Sequence, residues 1–258
     1  MTFEYPYDDW AEIYDEVYSE LIHDIPFYVQ QATKSGGPVL ELGCGTGRIS
    51  LAIATSGIRT VGIDISPKMI AVAKGKAEQS GLGDSCIFQT GDMASIHIAE
   101  RYGAVLFPFR SFQSMASVEE QFAALDTAAR HLSPGGRLIL DIFNPDLRQL
   151  ANEHDEAVPF HVQDVKLPDG STIVVWGQNS WDPTTQLNEA RLILEWLDPQ
   201  GNVTRRIYRE FQLRYTFRFE MEHLLALAGF EPEIVAGDFN GGPVTEESDD
   251  LVWVARKL

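Results

Sequence analysis

The chain has 258 residues, of which 44% are hydrophobic and 22% charged. Its 20 Lys+Arg against 38 Asp+Glu give a formal charge of −18. That composition supports a folded domain with a real core, and its charge disfavours nucleic acid and anionic membranes, because gripping phosphate takes clustered Lys and Arg.

The first 35 residues, rich in Tyr, Asp and Glu, read as helices that precede the first strand. From Val39 to Ile142 short apolar runs alternate with amphipathic stretches: Val39–Leu42, Ile49–Ala54, Thr60–Ile65, then Pro67–Ala77. This β-α-β-α order implies a parallel sheet with helices on both faces. Cys86–Gln89, Ala104–Phe107 and Arg137–Ile142 read as further strands, and Val118–Leu132 as a helix that stops at Ser133-Pro134-Gly135-Gly136. After Asn144-Pro145 the period changes. Val158–Lys166, Ser171–Gln178, Glu189–Leu197 and Val203–Tyr215 read as strands, with reversals at Pro168-Asp169-Gly170 and Asp198–Asn202. Short turns between consecutive strands mean antiparallel pairing, so residues 147–216 form an inserted meander or wing. Helix 220–228 and strands 230–235 and 251–256 then complete the first domain, residues 1–146 and 217–258.

Glu41-Leu42-Gly43-Cys44-Gly45-Thr46-Gly47-Arg48 lies between a strand and a helix, where glycines permit a tight turn and close approach to a ligand. A dinucleotide fingerprint needs a sixth-position glycine, and Arg48 stands there; the Gly-Lys-Ser/Thr ending of a phosphate loop is also missing. Glu41 would repel phosphate and suits an amino-bearing ligand. Asp64 ends the second strand at the offset from Gly43 where a carboxylate takes a ribose diol. Thr90-Gly91-Asp92-Met93 follows the third strand, where a carboxylate could accept from an exocyclic amine of a base.

Together these residues resemble the class I S-adenosylmethionine-dependent methyltransferases, of the type acting on small molecules. The glycine loop is similar to the family's first motif, Asp64 to its ribose-binding acid and Gly91-Asp92-Met93 to its adenine turn. Ala104–Phe112 resembles the motif bordering the methyl group, and Tyr7–Asp15 a segment that covers the cofactor. The resemblance implies a Rossmann-like α/β sheet of order 3-2-1-4-5-7-6 whose last strand is antiparallel. It further implies S-adenosylmethionine as cofactor, its methionine part near Gly43, Cys44 and Gly45 and its carboxylate near Arg48 or Tyr14. Ile65 and Met69 would flank the adenosine, Met93 the adenine, and Phe107 the methyl group.

For the acceptor, Phe107–Phe112 lacks the Asn-Pro-Pro-Tyr or Asp-Pro-Pro-Tyr signature of amino methylation on bases or protein amides. Its aromatic residues and one cation suit a small acceptor with N or O as the target, contacted by Phe109, Arg110 and Phe112, and by Tyr7 and Trp176 if the wing folds over the cleft. Tyr14 and Arg110 are the candidate catalytic residues. None of the six histidines sits in a base motif, though His154 and His161 would reach the cleft under the same condition, and no cluster has metal-ligand spacing. RNA or protein methylation, or a cofactor-binding scaffold without turnover, are the alternatives. Exposed wing strands offer a homodimer surface. Two cysteines without disulfide spacing, and no apolar run approaching the ~18 residues of a membrane span, lead us to expect a cytoplasmic protein.

Overall fold

In a computed structural model of the protein, residues 7–151 and 158–258 are described. A 3-10 turn at Asp8–Trp10, α1 (Tyr14–Val17) and α2 (Ile25–Ser35) lead into β1 (Val39–Leu42), α3 (Arg48–Thr55), β2 (Thr60–Asp64) and α4 (Pro67–Gln79). Next come β3 (Cys86–Thr90), β4 (Tyr102–Phe107), α5 (Val118–His131), β5 (Leu132–Phe143) and the short α6 (Leu147–Leu150). β6 (Phe160–Lys166), β7 (Thr172–Asp182), β8 (Leu187–Leu197) and β9 (Val203–Arg214) form the wing. The chain closes with α7 (Arg218–Leu227), β10 (Phe230–Ala236) and β11 (Asp250–Lys257).

The main sheet has seven strands ordered β3-β2-β1-β4-β5-β11-β10, and β11 runs antiparallel to both of its neighbours. This is the expected 3-2-1-4-5-7-6 order. Every residue of β1 is buried, as a central parallel strand covered on both faces requires. One face packs α5 and α7 through Ala124, Leu125, Met221 and Leu225, and the other packs α2 and α3 through Phe27, Tyr28, Ile49 and Ile53. Helix starts follow local chemistry: Ser66 Oγ accepts from Met69 N at 3.1 Å, with Pro67 following, and Ser117 and Glu120 form a capping box at α5.

The second sheet, β6-β7-β8-β9, is antiparallel throughout. Ile173, Val175 and Leu194 point from one of its faces into a cluster with Trp10 and Val17 of the N-terminal arm. The arm is therefore held between the wing and the carboxyl ends of the parallel strands. At the wing's root, Gln113 Nε2 donates to Arg214 O at 3.3 Å, and its Oε1 accepts from Phe143 N at 2.8 Å. Trp10 is 1% exposed and touches Tyr7, Tyr14, Tyr18 and Phe211. Trp10→Ala is expected to destabilise the fold by about 3–5 kcal/mol, the range for emptying an enclosed aromatic site. Urea unfolding of the variant against wild type measures it.

Candidate active site

The loop after β1 turns on Gly43, Gly45 and Gly47, with φ of +77°, +52° and +83°. A side chain at Gly45 would meet no atom within 4 Å, so the loop backbone faces an open space there. At Gly43 the missing Cβ makes room for Ser111, whose Oγ donates to Leu42 O at 3.1 Å. Asp64 ties this loop to the end of β2. Its Oδ2 accepts from Gly45 N and its Oδ1 from Ser66 N, both at 2.8 Å. Each oxygen retains acceptor capacity, as a diol ligand requires. Burial raises the Asp64 carboxyl above its ordinary pKa against those two bonds, and neighbouring Asp8 pushes the same way.

The arm is fastened across the loop by polar contacts. Ser66 Oγ donates to Asp8 Oδ1, Thr46 Oγ1 donates to Asp15 Oδ1 at 2.6 Å, and Lys76 pairs with Asp15 at 2.7 Å. The arm itself carries Tyr7, Tyr14 and Tyr18, whose hydroxyls have no hydrogen-bond partner among the described residues. Burial raises all three phenols, Tyr18 to about 12, and ionised Asp64 opposes ionisation of Tyr7 and Tyr14. Tyr7 and Tyr14 lie close enough to Asp64 to sense its charge, and Tyr18 to sense that of Arg110.

A family profile described as "Methyltransferase domain" matches residues 39–136. The cypemycin N-terminal methyltransferase of Streptomyces sp is 28% identical over 97% of this chain and 97% of its own. The solved structure of the CcbJ methyltransferase from Streptomyces caelestis superposes with a TM-score of 0.82 at 25% identity, covering 98% of this chain and 97% of that one. A Streptomyces venezuelae enzyme, dTDP-3-amino-3,4,6-trideoxy-alpha-D-glucopyranose N,N-dimethyltransferase, is 28% identical over 52% of this chain and 56% of its own.

These similarities support a class I S-adenosylmethionine-dependent methyltransferase. Of the residues that the methyltransferase motifs single out, Gly45 is bonded to Asp64, and Tyr7 and Tyr14 lie near that carboxylate. Ile65 is 43% exposed at the same strand end, and the Met93 methyl lies 3.5 Å from the missing Cβ of Gly43. Gly91 N donates to the backbone carbonyl of Asp64 at 2.9 Å, which seats the next turn against the end of β2. Asp92 is exposed, and its oxygens accept from Ala94 N and Ser95 Oγ, both at 2.9 Å, so it also shapes its own turn.

Other residues singled out by the sequence are engaged within the protein. Arg48 is locked in a two-pronged ion pair with Asp24, at 2.5 and 2.7 Å, and its guanidinium lies 5.9 Å from the Phe109 ring. Glu41 and Cys44 are buried beneath the loop, Glu41 accepting from Ser50 Oγ and Cys44 packing with Ile70 and Ala73. Met69 is 1% exposed, and Phe107 and Phe112 are wholly enclosed, edge to face with each other. These five side chains are enclosed by the surrounding protein. Trp176 points away from the arm: in β7 the alternate residues Ile173 and Val175 face it, while Trp176 meets His161 and donates to Glu195 on the opposite face. His161 shares that outer face, and His154 lies outside the described residues. Arg110 pairs with Asp250 at 2.7 Å. Sequence reasoning did not select Tyr18, or Asp24 as the partner of Arg48. Tyr18 stands four residues after Tyr14, a helical spacing that puts both rings on one face.

Among the described residues no group of His, Cys, Asp and Glu could hold a metal ion, and no helix is long and apolar enough to cross a membrane. Burial pushes the Glu41 carboxyl up to about 8, against the Ser50 hydrogen bond. A folded-state value raised above the unfolded one means that the native protein holds the extra proton. Stability from neutral Glu41 is therefore full below about pH 4.5 and is lost as pH rises through about 8. Melting curves between pH 5 and 9 should show wild type losing stability toward alkaline pH, with a flatter dependence in Glu41→Gln.

Proposed function

We propose that the protein transfers a methyl group from S-adenosylmethionine to the nitrogen of a small-molecule amine. The observation that carries the reading is the bond that ties Gly45 to Asp64 beside the open side of the glycine loop, with Tyr7 and Tyr14 of the arm near that carboxylate. Asp64 would take the ribose hydroxyls, Ile65 and Met93 would flank the adenosine, and the Gly43–Gly45 backbone would border the methionine part. The bound cofactor supplies a sulfonium methyl that leaves by in-line displacement. What the protein contributes is placement of the acceptor near the ~3–3.5 Å attack distance and exclusion of water.

An amine needs only to arrive unprotonated, so a dedicated base is not required. Phe109, Tyr18 and Arg110 would form the acceptor wall, where the Arg110 cation opposes protonation of an amine beside it. The amine reading is supported by the two relatives whose names specify nitrogen as target: a peptide N-terminus in one, an amino sugar in the other. The −18 charge favours a small diffusible acceptor over RNA.

Calorimetry with S-adenosylhomocysteine tests the cofactor half. Wild type should bind, and Asp64→Ala should bind about 10- to 100-fold more weakly, as the loss of hydrogen bonds to a charged group predicts. Radiolabelled methyl transfer to a panel of nucleotide-linked amino sugars, peptides with free N-termini and simple primary amines tests the acceptor half. Incorporation confined to hydroxyl controls would overturn the amine assignment.

A further inference from the structure

The segment after β4 contains two consecutive residues, Phe109 and Arg110, with φ of +49° and +63°. Neither is a glycine, and side chains in this left-handed region are strained, so surrounding structure must hold them there. One carboxylate does so. Phe109 N donates to Asp141 Oδ1 at 2.7 Å, Arg110 N donates to Asp141 Oδ2 at 3.0 Å, and Tyr28 Oη donates to Oδ1 at 2.5 Å. Asp141 is 2% exposed in the middle of the sheet, and Tyr28 is fully enclosed. A charged side chain in an otherwise apolar strand is costly unless hydrogen-bonded, and here the bonds all go to the turn and its support.

The turn occupies the boundary between the two halves of the site. Phe109 meets Tyr18 of the arm edge to face at 5.1 Å between ring centres, and Arg110 reaches Asp250. The next residue, Ser111, fills the space beside Gly43 of the cofactor loop.

We propose that Asp141 is a positioning residue for methyl transfer: by gripping both backbone N–H groups of the Phe109-Arg110 turn, it sets where the acceptor wall stands relative to the cofactor loop. The proposal rests on the methyltransferase reading given above. Asp141 touches neither cofactor nor acceptor and acts through the turn. An amide in its place keeps one acceptor oxygen but turns an N–H donor toward a backbone N–H, which breaks the two-oxygen grip. Tyr28→Phe leaves both backbone bonds intact.

The test uses the full chain, S-adenosylhomocysteine as the cofactor-site probe, and the panel amine that wild type methylates fastest. Asp141→Asn should retain S-adenosylhomocysteine affinity within about twofold while kcat falls at least tenfold and the acceptor KM rises; Tyr28→Phe should keep kcat within about threefold. Asp141→Asn with kcat and KM within twofold of wild type would overturn the proposal, as would a Tyr28→Phe defect equal to that of Asp141→Asn. Hydrogen exchange of wild-type protein reads the clamp without any variant or acceptor: the Phe109 and Arg110 amides should exchange as slowly as those of β4, and exchange at loop rates would refute the grip. Wild type that methylates no amine would refute the proposed reaction, while the exchange rates still decide the clamp.

Discussion

The bond pair from Asp64 to Gly45 N and Ser66 N joins the ends of β1 and β2, and the geometry of the site depends on it. Parallel strands finish with their backbone groups directed outward at the carboxyl edge, and the loops that leave them have no ladder to hold them. One carboxylate placed between two such loops fixes both. It also brings the acid itself to the loop's open side, where Gly45 has no neighbour within 4 Å of a would-be side chain. The same residue is thus a structural strut whose carboxylate stands beside the open side of the loop. The turn at Gly91 is hung from the carbonyl of that residue, which carries the arrangement to the third strand.

Covering the site is the second constraint. The arm before α2 has little regular structure of its own, α1 being four residues long, and its stability comes from burial between two sheets. Trp10 and Val17 supply the apolar contact with the wing; Asp8 and Asp15 supply the polar contact with the cofactor side. Because the two sets lie on opposite sides of one short segment, the wing and the cofactor loop are mechanically connected through it. A meander inserted late in the chain thereby holds the segment that crosses the loop after β1.

What could be read from the residues follows from which interactions are local. The parallel order, the glycine loop and the wing's Pro168-Asp169-Gly170 and Asp198–Asn202 reversals carry turn chemistry in consecutive residues, and the structure has them where expected. The reversal at Pro183–Gln186 lacks glycine; Gln186 takes φ of +56° there, a left-handed position that no glycine or asparagine marked. Trp176 shows a different limit. Alternation in a strand divides residues into two faces, but it does not say which face another element will cover. Phe107 and Phe112 sit in the right motif but are consumed by the core. The Arg48–Asp24 and Asp141–turn contacts span 24 and 31 residues or more, and only folding brings such partners together. A local signal for Asp141 did exist: an acid flanked by Leu140 and Ile142 in an apolar strand requires an explanation.

Glu41, Asp64 and Asp141 share one physical property: burial raises the pKa of each, to about 8 for Glu41 and about 6 for Asp141. In all three the hydrogen bonds received offset only part of the cost of removing a carboxylate from water. All three lie at or near the carboxyl ends of their strands, where the sheet meets the loops that leave it. The strain in the Phe109-Arg110 turn belongs to the same economy of opposed forces: Asp141 remains buried because the turn supplies its donors, and the turn remains left-handed because Asp141 receives them. Of 38 acidic residues these three are distinguished by position, which net charge alone does not reveal.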